Sequence, residues 1–195
     1  MTWKISLFCV FFLAILTLIT VMVIRDKDKK GDHSTLPGLK FMPDWVPITI
    51  ILGEGLEKRA LVKEVAQAAV DFWNDSVGLK LFSGVGDLID PDSNKFVFIQ
   101  ESNSEREEDD CSAYAWVQLL YDKDDVVQSA TVWLLPGWDG VHMSYLADAL
   151  QHELGHVLGL AHDEVKNSIM VARLEHDQSY VVTDKDVQSL HELYA

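Results

Sequence analysis

Residues 152–162 read HELGHVLGLAH. His152 and His156 stand four positions apart, so on a helix their imidazoles stack on one face within reach of a single cation. Glu153 follows the first of them, a placement that turns its carboxylate toward water held at that cation. Leu150, Leu154, Val157 and Leu158 fall on the opposite face, so the helix can bury one side and present ligands on the other. Gly159 is placed to end the helix, because glycine enters the left-handed C-cap conformation without steric cost. Past that turn the chain can double back and deliver His162 as a third nitrogen. Three neutral histidines leave one position open, which suits a catalytic rather than a structural Zn2+ ion.

The full spacing, H-E-x-x-H-x-x-G-x-x-H, resembles the zinc-binding signature of the metzincin metallopeptidases. That clan carries a methionine turn beneath the metal, and Met170 in NSIM (167–170), eight positions past His162, fits it. The short interval looks like the matrixin branch. So does the closing TDKDVQSLHELYA (183–195), which is similar to the last helix of matrixin catalytic domains. The resemblance implies an α+β zincin-like domain: a twisted mixed sheet, two long helices and a C-terminal helix. It also implies zinc on His152, His156 and His162, Glu153 as general base, and hydrolysis of protein or peptide substrates. Residues 163–173 would wall the pocket for the side chain just after the cut. Asp163, directly after the third histidine, is more like the reprolysin branch. No tyrosine stands two positions after Met170, so a tyrosine ligand is not expected, and no cysteine-switch motif is found.

Two other functions fit the same residues. One is a membrane-anchored binding protein with a non-catalytic zinc site, which would have no need of Glu153. The other is a zinc hydrolase of cell-wall peptides, which only substrates separate from ordinary proteolysis.

Outward from the motif, alternating elements are expected. Residues 46–52 (VPITIIL) read as a first strand and 56–76 as an amphipathic helix with Leu61, Val65, Ala68, Ala69 and Phe72 at helical spacing. Short strands are expected at 79–82, 95–100, 113–121 and 130–135. The motif helix should span 144–158, with Ser144 as N-cap and Asp148 in the first turn. A last helix starts at Thr183, where Thr183 and Asp186 have capping-box spacing, and runs to Tyr194. Mixed strands and helices point to an α+β domain over 41–195.

At the other end, residues 5–24 (ISLFCVFFLAILTLITVMVI) run twenty positions without a charge, the length a helix needs to cross a bilayer of about 30 Å. The run continues into Arg25 with no small-residue cleavage site, so it reads as an uncleaved anchor after a short flank (1–4), followed by a juxtamembrane linker (25–40). Lys4 alone precedes it, whereas Arg25, Lys27, Lys29 and Lys30 follow. Those counts place the domain in the cytoplasm, whereas the family resemblance favours the extracytoplasmic side.

The first thirty residues hold five of the 16 Lys/Arg and two of the 31 Asp/Glu, leaving 11 against 29, or −18, for the rest. Such a surface repels phosphate backbones, so nucleic-acid binding is not expected. Cys9 lies in the apolar run, which leaves Cys111 as an ordinary thiol with no disulfide partner in the domain. His33, His142, His176 and His191 lack ligand spacing. Asp90, Asp92, Asn94 and Glu101 faintly echo a calcium loop, but Lys95 stands where glycine is required, so Ca2+ has weak support.

Overall fold

The protein is described from a computed structural model, which covers residues 45–56, 59–86, 96–102, 114–121, 126–175 and 178–195. The candidate span 5–24, its linker, Cys111 and the Asp90–Asp92–Asn94 triplet lie outside them. Among the described residues no helix is long and apolar enough to cross a membrane.

Five strands form one mixed sheet: β1 (Ile48–Leu52), β2 (Phe82–Gly86), β3 (Phe96–Glu101), β4 (Ala115–Tyr121) and β5 (Val127–Leu134). Their order is β2-β1-β3-β5-β4; every pairing is parallel except β4 with β5. Ile48, Ile50, Val97, Ile99, Ala130, Val132 and Leu134 point to one face and are buried. The period-2 alternation of a strand puts them there together. Helices α1 (Ala60–Val77) and α2 (Met143–Val157) close that face and join its core. The architecture is the expected α+β one, with β4 as an edge strand.

Helix α1 begins four residues later than expected and is rotated. Val62, Val65, Ala66, Ala69, Val70, Trp73 and Val77 are buried, whereas Leu61 is 49% exposed. Both stripes have helical spacing. The winning one puts the largest side chain, Trp73, inside, where its indole N–H donates to the Gln151 carbonyl of α2 at 2.8 Å.

The second strand also moves, from the expected 79–82 to Phe82–Gly86. The Asn74 side chain accepts from the backbone N–H groups of Leu81 (2.8 Å) and Phe82 (3.0 Å), holding that stretch against α1. The strand then continues through Gly84 and Gly86, which propensity alone reads as breakers.

Helix α3 (Asp184–Tyr194) has the expected capping box, with Thr183 and Asp186 bonded reciprocally. Its far end caps the other two helices. His191 Nε2 donates to the Val77 carbonyl at the end of α1 (3.0 Å), and the Tyr194 hydroxyl donates to the Leu158 carbonyl at the end of α2 (3.1 Å). Carbonyls in a last helical turn have no partner within their own helix, so α3 satisfies both termini from outside.

Candidate metal centre

Helix α2 starts one residue earlier than expected, and its N-cap is His142, not Ser144. His142 Nδ1 accepts from the Ser144 backbone N–H at 3.4 Å. Asp148, the sixth residue of the helix, therefore lies beyond the first turn. The C-terminus follows the expected plan. Gly159 has φ +93°, Gly159 N–H bonds the His156 carbonyl, and Leu160 N–H bonds the Gly155 carbonyl, both at 3.0 Å. That pair of bonds is a Schellman motif, and it turns the chain back toward the helix.

The return brings the three histidines together. Their Nε2 atoms form a triangle with sides of 3.1 Å (His152–His156), 3.2 Å (His156–His162) and 3.3 Å (His152–His162). Ligand nitrogens around a tetrahedral zinc, at about 2.0–2.1 Å each, are separated by about 3.3 Å. Lone pairs converging at such distances repel one another unless a cation lies between them. The donor set thus fits zinc, and it is the group of metal-ligating side chains found among the described residues.

Two backbone carbonyls fix which nitrogen faces inward. His152 Nδ1 donates to the Ile169 carbonyl (2.7 Å) and His156 Nδ1 to the Leu160 carbonyl (2.8 Å). A carbonyl can only accept, so in a neutral ring the proton sits on Nδ1 and the lone pair on Nε2. Burial keeps the His152 ring neutral: desolvation pushes its pKa down to about 4, against the Ile169 hydrogen bond, with His162 adding to the lowering.

Sequence spacing assigns the four residues of the motif but misses this support. Ile169 lies seventeen positions from His152 and carries no signature, because its backbone does the work. It is held by its N–H to the Val181 carbonyl (2.9 Å), while Val181 N–H bonds the Asn167 carbonyl (2.9 Å) and Asp163 N–H bonds the Met170 carbonyl (2.9 Å). Ser168, fully buried, accepts from Met170 N–H at 3.0 Å. These bonds pin the turn under the histidines.

The ligand-bearing side of α2 is also more enclosed than expected: His152 and Glu153 are both buried. On the same helix Gly155 packs against Met170, which is wholly buried. A side chain at Gly155 would overlap the Met170 sulfur and put Cβ 2.8 Å from Cζ2 of Trp73. Alanine in place of a helical glycine gains up to about 1 kcal/mol of propensity, but overpacking a core costs about 1–3 kcal/mol. Trp73 is tied by its indole bond, so crowding should win. Gly155→Ala is expected to lower stability by about 1–2 kcal/mol, read as a fall in the urea midpoint; an unchanged or higher midpoint would show that Met170 swings aside freely.

A family model of the matrixins matches residues 51–195, which takes in the end of β1, the other four strands, all three helices and the histidine triangle. The chain belongs to the matrixin family. No curated protein matches it. Matrixin membership and the three-histidine group together make it a zinc metallopeptidase. The other described histidines of this matrixin have structural partners: His142 caps α2 and His191 caps α1. His33 and His176 lie outside the described residues.

Proposed function

We propose that this matrixin domain is a zinc-dependent endopeptidase in which His152, His156 and His162 hold the metal and Glu153 is the general base. The observation that carries the reading is the convergence of three Nε2 atoms at 3.1–3.3 Å on a helix whose buried Glu153 directly follows the first ligand. Zinc, when bound, supplies Lewis acidity toward a carbonyl oxygen and lowers the pKa of water to about 7.

The chain's own residues do the rest. The Ile169 and Leu160 carbonyls hold two imidazoles in the ligating tautomer. Glu153 takes a proton from the attacking water and passes it to the departing amine. Met170 fills the space beneath the ligands and excludes solvent. Strand β4, the edge of the sheet among the described residues and packed near α2, is where an extended peptide can align as an added strand. Residues 5–24, twenty positions without a charge, support a membrane tether for the domain.

Zinc content and cleavage of a quenched peptide library, measured together on the full chain, test the proposal. One zinc per chain and cleavage abolished by chelator and restored by zinc are expected. Bound zinc with no cleavage of any peptide would favour a binding protein that keeps its zinc site without catalysis.

A further inference from the structure

The peptide unit that joins Leu158 to Gly159 is held from both sides. Its N–H, on Gly159, donates to the His156 carbonyl at 3.0 Å. Its carbonyl, on Leu158, accepts from the Tyr194 hydroxyl at 3.1 Å, across 36 positions of sequence. The other hydrogen bonds of the turn 158–160 return to α2 itself: Leu158 N–H to the Leu154 carbonyl, Leu160 N–H to the Gly155 carbonyl, and the Leu160 carbonyl to His156 Nδ1. Among the described residues, Tyr194 is thus the one hydrogen-bonded tie from this turn to another element. Leu158 is wholly buried, so solvent does not stand ready to replace the hydroxyl.

Two of the three histidines depend on how this peptide unit is set. The Leu160 carbonyl, which accepts from His156 Nδ1 at 2.8 Å, follows it directly in the chain. His162, whose Nε2 lies 3.2 Å from that of His156, follows two residues later. Between the clamped unit and both of them stands Gly159 at φ +93°, where no side chain restricts the backbone. A clamp on the plane just before that soft point decides where Leu160 and His162 are carried. His152 is independent of it, because its Nδ1 is held by the Ile169 carbonyl on a separate turn.

We propose that Tyr194, at the end of α3, is a positioning residue for the metal centre: its hydroxyl holds the turn that presents His156 and His162. This rests on the reading of the three histidines as zinc ligands. Tyr194 is no ligand itself and acts only through the Leu158–Gly159 peptide. Metal retention then depends on the docking of the C-terminal helix. Without the hydroxyl, a buried carbonyl lacks a donor, and the plane relieves that loss by tilting about the glycine. The tilt displaces the Leu160 carbonyl from His156 and His162 from the triangle.

The test compares the full chain with Tyr194→Phe, which removes the hydroxyl and keeps the ring. The control is His191→Phe, which removes the other bond from α3, to the Val77 carbonyl of α1. The readouts are the rate of zinc release to a chelating dye, the visible spectrum of the cobalt-loaded chain, and the urea midpoint without metal. Loss of an outer-shell partner costs about 10–100-fold in metal affinity. Tyr194 acts one step beyond the Leu160 carbonyl, so Tyr194→Phe should release zinc about 10-fold faster. Its cobalt bands, which report ligand geometry, should shift. His191→Phe should keep the parent's release rate and spectrum, whatever its urea midpoint.

Parental zinc release and an unshifted cobalt spectrum in Tyr194→Phe overturn the proposal. Equal acceleration in both variants overturns it too, since α3 would then support the fold without addressing the ligands. None of the readouts needs cleavage. A zinc-loaded parent that cuts no peptide therefore refutes the peptidase reading alone, whereas a parent that takes up no zinc refutes both.

Discussion

Glu153→Ala is expected to stop hydrolysis while leaving zinc bound. The carboxylate is no part of the nitrogen triangle, and the carbonyls that orient His152 and His156 belong to Ile169 and Leu160. Truncating Glu153 should therefore leave the metal site formed. Its loss removes proton transfer in both halves of the reaction, which is worth about 10²–10⁴-fold in rate. Glu153→Gln, which keeps shape but not basicity, should fall by a similar factor, and that agreement distinguishes chemistry from packing. The measurements are zinc per chain by elemental analysis and kcat/KM on a peptide cut by the parent. Rates within about threefold of the parent, a difference of well under 1 kcal/mol, would sink the general-base assignment. Lost zinc would show that Glu153 supports the site structurally.

His156→Ala should lose the metal itself. The substitution removes one of three nitrogens and also the 2.8 Å bond from Nδ1 to the Leu160 carbonyl, which braces the turn leading to His162. Altering an outer-shell partner costs about 10–100-fold in metal affinity; removing a ligand and its brace together should cost more. The parent at zinc 100 times its Kd gains about 2.7 kcal/mol of stability. The variant should show little of that gain. Thermal unfolding with and without zinc, and zinc content after dialysis against a weak chelator, check both statements. Stoichiometric zinc in His156→Ala would place the metal elsewhere.

Legibility in the sequence followed the range of each interaction. The Thr183–Asp186 capping box and the Gly159 turn were readable because each closes within five positions. The α+β class was readable from alternating patterns. The face of α1 was not: Leu61 and Val62 are both apolar and adjacent, and the choice fell to Trp73 reaching Gln151, 78 positions away. The start of β2 was hidden because Asn74, on another element, claims the N–H groups of Leu81 and Phe82 where the strand begins.

At the metal centre, the sequence by itself determined the donors. A spacing of four on a helix and a glycine turn before His162 are set by local backbone geometry, which the chain carries wherever it folds. The tertiary structure decided the working state of those donors: which nitrogen of His152 faces inward, what fills the space beneath the ligands, and how deeply they are buried. Those depend on Ile169 and Met170, which reach α2 only because Val181 and Asp163 pin their turn. Hydrogen bonds and packing between distant segments exist only once the core has formed, so no local pattern records them.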